Sequence, residues 1–214
     1  MKKILIVANM QNDLIDGIVG TKHSQQILPN VVEKIRNFSH GLLYLTMTSN
    51  DDSYFETAIG KKIPEKYCQY MSKGWLINDD IFKAAQESSC EPIFLERGSC
   101  GDNISDMVRQ IKNYCNDWDN EVEIEICGVT TEVSVISLAL TLNTFCPCAK
   151  IVVNSDCCAG FTRETHKAAL STMNICGIHI EGSEEYKKLN WEDRENILRE
   201  EDKLYKDVSK EVIG

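Results

Sequence analysis

Short apolar runs alternate with helix-like segments through about the first 180 residues, and this alternation restricts the fold more than any other feature. Residues 4–8 form a continuous apolar run, which is typical of a strand buried on both faces. Further predicted strands follow at residues 42–46, 93–95, 122–126, 151–153 and 176–180. Apolar residues at helical spacing separate them, at residues 29–38, 79–86, 104–114 and 130–143 and in a segment that Thr162 caps.

This alternation predicts an α/β fold with a mostly parallel, roughly six-stranded sheet, because parallel strands need helical crossovers between them. Right-handed crossovers then place helices on both faces, which gives a three-layer α/β/α domain. In such sheets a ligand lies outside the carboxyl ends of the strands. We therefore expect a site built from the segments that follow Ala8, Leu95 and Ile126.

The last part of the chain has a different pattern, which divides it into a domain at 1–182 and a charged extension at 183–214. Trp191, Leu198, Tyr205 and Val212 recur seven residues apart among many charges, as in an amphipathic helix. This predicted C-terminal helix could pack on its own domain, join copies into a homo-oligomer or hold a protein partner.

The charge balance excludes several functions. A net charge of −10 and a pI of about 4.9 oppose binding to nucleic acid or to an anionic membrane surface. No apolar stretch is long enough for a membrane helix or a signal-peptide core, so we expect a cytoplasmic protein. The ten cysteines are then thiols, and their spacing favours small buried side chains over a zinc site.

Several motifs occur together in one order. The segment Asn-Met-Gln-Asn-Asp-Leu at 9–14 follows the first predicted strand, and Glu-Arg-Gly-Ser-Cys-Gly at 96–101 follows the third. The segment Cys-Gly-Val-Thr-Thr-Glu-Val-Ser-Val at 127–135 follows the fourth. Together with residues 54–75 and 156–170, these segments resemble the isochorismatase-like cysteine hydrolases, which include nicotinamidases.

The resemblance implies hydrolysis of small amides or related compounds through a cysteine thioester, assisted by an aspartate and a lysine. The matching positions here hold Asn9, Arg97 and Ser134. An asparagine amide cannot accept the catalytic proton, and Arg97 stays protonated. Ser134 needs a base within hydrogen-bond reach before it can attack a carbonyl.

The metal positions implied by the resemblance are also substituted. An aspartate and two histidines would fall on Thr48, Asn50 and Tyr67, which cannot form a tight site for a divalent transition metal. We therefore expect no metal and no other cofactor. The adjacent Asp51 and Asp52 are interpreted as a solvated turn.

These substitutions favour a catalytically silent member of the family, a pseudoenzyme that binds a small planar acid or amide. The predicted ligand-binding residues are Asn9, Arg97, Val129, Thr130 and Ser134, because backbone N–H groups beside Ser134 still suit a ligand oxygen. Arg97 could bind a carboxylate through two parallel hydrogen bonds.

Two alternatives remain open at the level of sequence. In one, the chain is a working hydrolase that uses Ser134, or Cys100 as a displaced nucleophile, with His166 as a remote candidate base. Cys127 is interpreted as a core residue. In the other, the pocket is vestigial and the protein has a structural role through its C-terminal helix.

Overall fold

The structure is a computed structural model that describes residues 1–98, 104–115 and 121–183. Its strands are β1 (Lys2–Ala8), β2 (Leu42–Ser49), β3 (Pro92–Gly98), β4 (Val122–Val129), β5 (Lys150–Ala159) and β6 (His179–Glu181). They form one six-stranded sheet in the order β3-β2-β1-β4-β5-β6, and each neighbouring pair is parallel. This confirms the predicted sheet. The predicted C-terminal helix and Cys100 lie outside the described residues.

Helices connect the strands on both faces. They are α1 (Asn12–Ile15), α2 (Lys22–Asn37), α3 (Asp79–Glu87), α4 (Ile104–Tyr114), α5 (Ile136–Phe145) and α6 (Arg163–Ile175). A 3₁₀ helix spans Asp52–Glu56, and a π-helical turn spans Thr131–Val135. Helix α2 packs against α3, and α5 packs against α6. In the described part of the chain, no helix has both the length and the apolar character that a bilayer crossing requires.

Helix α2 begins earlier than the sequence predicted. It starts at Lys22 rather than Pro29, and Pro29 lies inside it. The Thr21 hydroxyl caps the helix by accepting a hydrogen bond from the Ser24 N–H at 2.9 Å. Pro29 is exposed, whereas the opposite side of the helix is buried through Ile27, Val31 and Ile35. The cap and the buried apolar side therefore outweigh the hydrogen bond that proline removes.

Strand β1 is the point at which the chain changes the side of the sheet to which it adds strands. The chain adds β2 and β3 on one side of β1 and then β4, β5 and β6 on the other side. Such a switch point leaves a crevice at the carboxyl ends of the two strands that flank it, here β1 and β4. Gly128 of β4 lies opposite Ala8 of β1 and has a φ of +112°. A Cβ there would lie 2.2 Å from the Ala8 carbonyl oxygen, so glycine permits this close approach.

Candidate active site

Asn9 stands directly after β1, at the switch point of the sheet. Its backbone is left-handed, with a φ of 51°, a conformation that asparagine tolerates better than most residues. The side chain is 2% exposed. The Thr46 hydroxyl donates to Asn9 Oδ1 at 3.1 Å, and Asn9 Nδ2 donates to Ser134 Oγ at 2.8 Å. The fold therefore joins two predicted site residues that are 125 positions apart in the chain.

The hydrogen bond between Asn9 and Ser134 gives Ser134 no base. Asn9 is the donor, so the Ser134 oxygen is the acceptor and its own proton points elsewhere. If the amide were turned round, its oxygen would face Ser134, but an amide oxygen has almost no basicity at neutral pH. In either orientation Asn9 cannot remove the Ser134 proton.

Ser134 lies in the π-helical turn that follows β4. The peptide between Val129 and Thr130 at the start of this turn is cis. The N–H groups of Val133, Ser134 and Val135 all donate to the Thr130 carbonyl oxygen, at 3.2, 2.9 and 3.1 Å. These backbone donors were predicted to hold a ligand oxygen. Since they already have an acceptor within the turn, a ligand would have to share them.

Two further residues of the first motif, Gln11 and Asp13, hydrogen-bond to segments next to the site. Gln11 is fully buried and donates to the carbonyl oxygens of Thr48 at 2.9 Å and Trp75 at 2.6 Å. Its Oε1 also accepts the Thr48 N–H at 2.7 Å. Asp13 accepts the Cys68 N–H at 2.7 Å. These contacts tie the segment around residues 67–76 to the carboxyl ends of β1 and β2.

Arg97 lies at the carboxyl end of β3. The sequence predicted that this strand ends at Leu95, but it continues to Gly98, so Arg97 lies within it. Its Cα pairs with that of Thr48 on β2, which places both residues at the carboxyl edge of the sheet. The Arg97 side chain is not among the parts that the structure describes. Its neighbour Glu96 accepts a hydrogen bond from Ser49, which in turn accepts one from Trp75 Nε1 at 2.7 Å.

The positions expected to hold a metal form a hydrogen-bonded link instead. Asn50 is 2% exposed and donates from Nδ2 to the Tyr67 carbonyl oxygen at 2.9 Å. The Tyr67 side chain also hydrogen-bonds to Asn50 and Tyr54, and burial raises the pKa of the Tyr67 phenol far above its usual value. A protonated phenol and an amide that points its nitrogen inward are poor metal ligands. The residues present do not fit a divalent metal.

The neighbouring carboxylates do not replace the missing ligands. Asp51 and Asp52 are exposed, and Asp51 accepts hydrogen bonds from the Ser53 hydroxyl at 2.5 Å and the Ser53 N–H at 2.8 Å. These bonds lower the pKa of Asp51. Among the residues that the structure describes, no group of three or more histidine, cysteine, aspartate or glutamate side chains could hold a metal ion. The pair is therefore a capped turn at the start of a 3₁₀ helix.

The sequence itself identifies the family. Residues 3–185 match the family model of the isochorismatase domain, which is most of the chain. The chain belongs to the isochorismatase family. Comparison with curated proteins found no significant match.

Solved structures share the family fold at low identity. Pyrazinamidase of Pyrococcus horikoshii, solved in complex with zinc, is 20% identical, with a TM-score of 0.66 over 86% of this chain and 100% of that one. Nicotinamidase from Bacillus subtilis is 17% identical, with a TM-score of 0.68 over 85% and 99%. N-carbamoylsarcosine amidase from Thermoplasma acidophilum is 17% identical, with a TM-score of 0.63 over 86% and 98%. At these identities the likeness establishes the fold.

The described hydrogen bond of His166 in this isochorismatase-family chain goes to Thr131. His166 lies on α6, is 1% exposed, and its Nδ1 hydrogen-bonds to the Thr131 hydroxyl at 2.8 Å. Burial, and secondarily the nearby His23, lower the pKa of His166 to about 4, so its ring is neutral at pH 7. His166 therefore fastens the start of the π-helical turn, while the hydroxyl of Ser134 pairs with Asn9.

The cysteines near the site are buried. Cys127 is 0% exposed within β4, and burial raises the pKa of its thiol well above the usual value. Cys158 is equally buried, and Cys157 has a pKa raised to about 11, chiefly by burial. Thiols with raised pKa values are poor nucleophiles. The interpretation of Cys127 as a core residue agrees with this environment, whereas Cys100 lies outside the described residues.

Sequence reasoning missed the side chains that support the site in this family member. Thr46, at the end of the second predicted run, orients Asn9, and Thr131 joins the turn to His166. His23 lies beside His166. Its ring packs edge-on against His166 at 5.2 Å, with Nδ1 buried and without a described partner. In the sequence, the only sign of these contacts was that the residues lie near the ends of predicted strands and helices.

Proposed function

We propose that this member of the isochorismatase family binds a small planar carboxylate or amide and does not hydrolyse it. The observation that carries the proposal is the hydrogen bond from Asn9 Nδ2 to Ser134 Oγ. It places a neutral donor where a hydrolase of this design needs a base. The hydrogen bonds of Gln11 and Asp13, which hold the segments around this pair in place, support the same interpretation.

The expected loss of rate is large. Removal of a general base typically costs about 10²- to 10⁴-fold, and replacement of a thiolate by an unactivated hydroxyl adds to it. The metal positions hold no carboxylate or imidazole, so we expect no Lewis acid there. Together these effects support the absence of hydrolysis rather than slow hydrolysis by the family mechanism.

The ligand class follows from the charges at the carboxyl edge. The Arg97 backbone lies at this edge, and an arginine guanidinium pairs with a carboxylate through two charge-assisted hydrogen bonds. Asn9 supplies a neutral amide for a second polar group. An aromatic acid such as nicotinate should therefore bind more tightly than its neutral amide.

Catalysis is tested by ammonia release from nicotinamide and a panel of small amides. The native protein is compared with a variant that carries Asn9→Asp, Arg97→Lys and Ser134→Cys. We expect no release above the blank from the native protein and measurable release from the variant. The matched control replaces Ser137 instead of Ser134 by cysteine, which keeps the added thiol but moves it one helical turn away; it should stay silent.

Binding is tested separately by calorimetry with nicotinate, nicotinamide and benzoate. We expect nicotinate and benzoate to bind and Arg97→Gln to weaken both at least 10-fold, a change of about 1.4 kcal/mol. A control at Arg36→Gln, an exposed arginine on α2, should leave the affinity unchanged. Turnover by the native protein at about 1 s⁻¹ or faster would contradict the silent function. Absence of binding to all three compounds would contradict the ligand class.

A further inference from the structure

A groove of about 750 Å³ lies between helices α4 and α5, and none of its lining residues belongs to the candidate site. Helix α5 packs against α6, whereas this groove separates it from α4. Gaps between neighbouring helices are a usual place for small-molecule sites, whose volumes range from about 300 to 1,000 Å³. The groove therefore has the position and the size of a ligand site.

Apolar side chains form one part of the groove. Ile104 and Val108 come from successive turns of α4, and Phe145 comes from the last turn of α5. Val108 is buried, whereas Phe145 is 51% exposed although its ring is large and apolar. Exposed apolar surface in a concave region is typical of a ligand-binding groove. This part of the groove suits a hydrocarbon chain or ring.

The charged side chains that line the groove are both cations. They are Arg109 and Lys112 of α4, and no described carboxylate lines the groove. The chain has 33 acidic and 23 basic residues, so a lining with positive charge alone runs against its composition. Another cavity, of about 470 Å³ between α2 and the sheet, is lined by four carboxylates and two lysines. The cationic lining is thus a local property of the α4–α5 groove, and it favours an anion.

Arg109 can bind a carboxylate at low cost. Its Nη2 donates to Asp106 Oδ1 at 2.8 Å, and a guanidinium carries five N–H donors in a planar fork. Both side chains of this pair are mostly exposed, so the pair contributes little free energy. A ligand carboxylate can therefore bind beside Asp106 or in its place, through two parallel charge-assisted hydrogen bonds.

We propose that the α4–α5 groove binds a small amphipathic carboxylate of the medium-chain fatty acid type. The carboxylate lies on Arg109 and Lys112, and the hydrocarbon lies against Val108 and Phe145. A purely polar anion leaves the apolar surface unused, and the net charge of −10 opposes an anionic membrane. This inference is separate from the proposed function, because the groove shares no residue with the candidate site.

The first test titrates the full-length protein with decanoate by calorimetry, below the concentration at which decanoate forms micelles. Decyltrimethylammonium has a tail of the same length and the opposite charge, and acetate has the same head group without the tail. We expect one decanoate to bind per chain and neither control to bind. Absence of decanoate binding, or equal binding of either control compound, would overturn the proposal.

The second test locates the bound decanoate. Arg109→Gln should weaken its binding roughly 5-fold or more by removing the charge-assisted hydrogen bonds, and Phe145→Ala should do the same by removing apolar contact. The matched controls are Arg36→Gln and Phe94→Ala, at exposed positions on α2 and β3, and neither should change the affinity. Decanoate should also slow amide hydrogen exchange in α4 and α5. Unchanged affinity in either groove variant, or slower exchange confined to other elements, would place the ligand elsewhere and overturn the proposal.

Discussion

At the residue scale, the functional argument depends on the hydrogen bond that joins Asn9 to Ser134. Asn9 differs from an aspartate by one heavy atom, yet it donates to Ser134 where an ionised carboxylate could only accept. Thr46 completes this arrangement by donating to the other end of the amide. The Asn9 amide is therefore held at both ends, and it offers Ser134 no base.

Thr46→Val removes the hydroxyl that donates to the buried Asn9 oxygen. We expect the free energy of unfolding to fall by roughly 1–3 kcal/mol, the usual cost of leaving a buried acceptor unsatisfied. Urea denaturation measures it. Thr172→Val, at an exposed position on α6, serves as the control and should change stability by no more than about 0.5 kcal/mol. Equal effects of both substitutions would contradict a specific role for Thr46.

His166 should make stability depend on pH. Its folded pKa of about 4 lies below the model-peptide value of 6.5, so the unfolded chain binds more protons between these two values. The free energy of unfolding should therefore fall as pH drops from about 6.5 to 4, by at most about 1.4 kcal/mol per unit. His166→Gln removes this group and should flatten the slope measured by denaturation at several pH values.

The control for that slope is His40→Gln, because His40 is exposed. It should leave the pH dependence as it is in the native protein. Carboxylates titrate in the same range in every variant, so only the difference between the two substitutions reports on His166. Identical slopes in both variants would contradict the prediction.

At the element scale, strand ends position the site. Strand β4 runs on to Val129 beside β1, and the π-helical turn after it brings Ser134 back over Asn9. Gly128 makes this possible because its positive φ and missing side chain let β4 approach the Ala8 carbonyl. The crevice at the switch point thus depends on one backbone contact.

Gly128→Ala should destabilise the protein by roughly 3–5 kcal/mol, because a Cβ would clash with backbone as well as strain it. Gly177→Ala is a matched control: Gly177 also has a positive φ, of +88°, but nothing lies within 4 Å of its added Cβ. That control should cost about 1–2 kcal/mol from backbone strain alone. Thermal unfolding of both variants separates the two effects, and similar losses would show that close packing at Gly128 is unimportant.

At the scale of the whole molecule, we expect the fold to need no metal, because the residues at the expected metal positions do not suit one. The link between Asn50 and Tyr67 joins β2 to the following segment by a hydrogen bond. We therefore expect the melting temperature to be the same with zinc and with a chelator, because only ligands that bind the native state shift it. A variant with Thr48→Asp, Asn50→His and Tyr67→His is the positive control. A zinc-dependent rise in the native protein would contradict the prediction.

The six parallel strands and the positions of most helices could be predicted from the sequence, since both rest on local apolar periodicity, whereas the order of the strands in the sheet came from the structure. The start of α2 could not, because burial of Ile27, Val31 and Ile35 outweighs the local effect of Pro29. The ends of β3 and β4 were also missed. Polar residues such as Glu96 and Arg97 continue β3 because the neighbouring β2 supplies their backbone partners.

The sequence by itself determined the family and the parallel sheet, and it predicted the site residues Asn9, Arg97 and Ser134, because motifs and periodicity are properties of neighbours along the chain. Only the tertiary structure decided that Asn9 donates to Ser134, that Thr46 orients Asn9, and that His166 serves Thr131. These contacts join residues far apart in sequence. Their geometry exists only after the strands pair and the turn after β4 closes over β1.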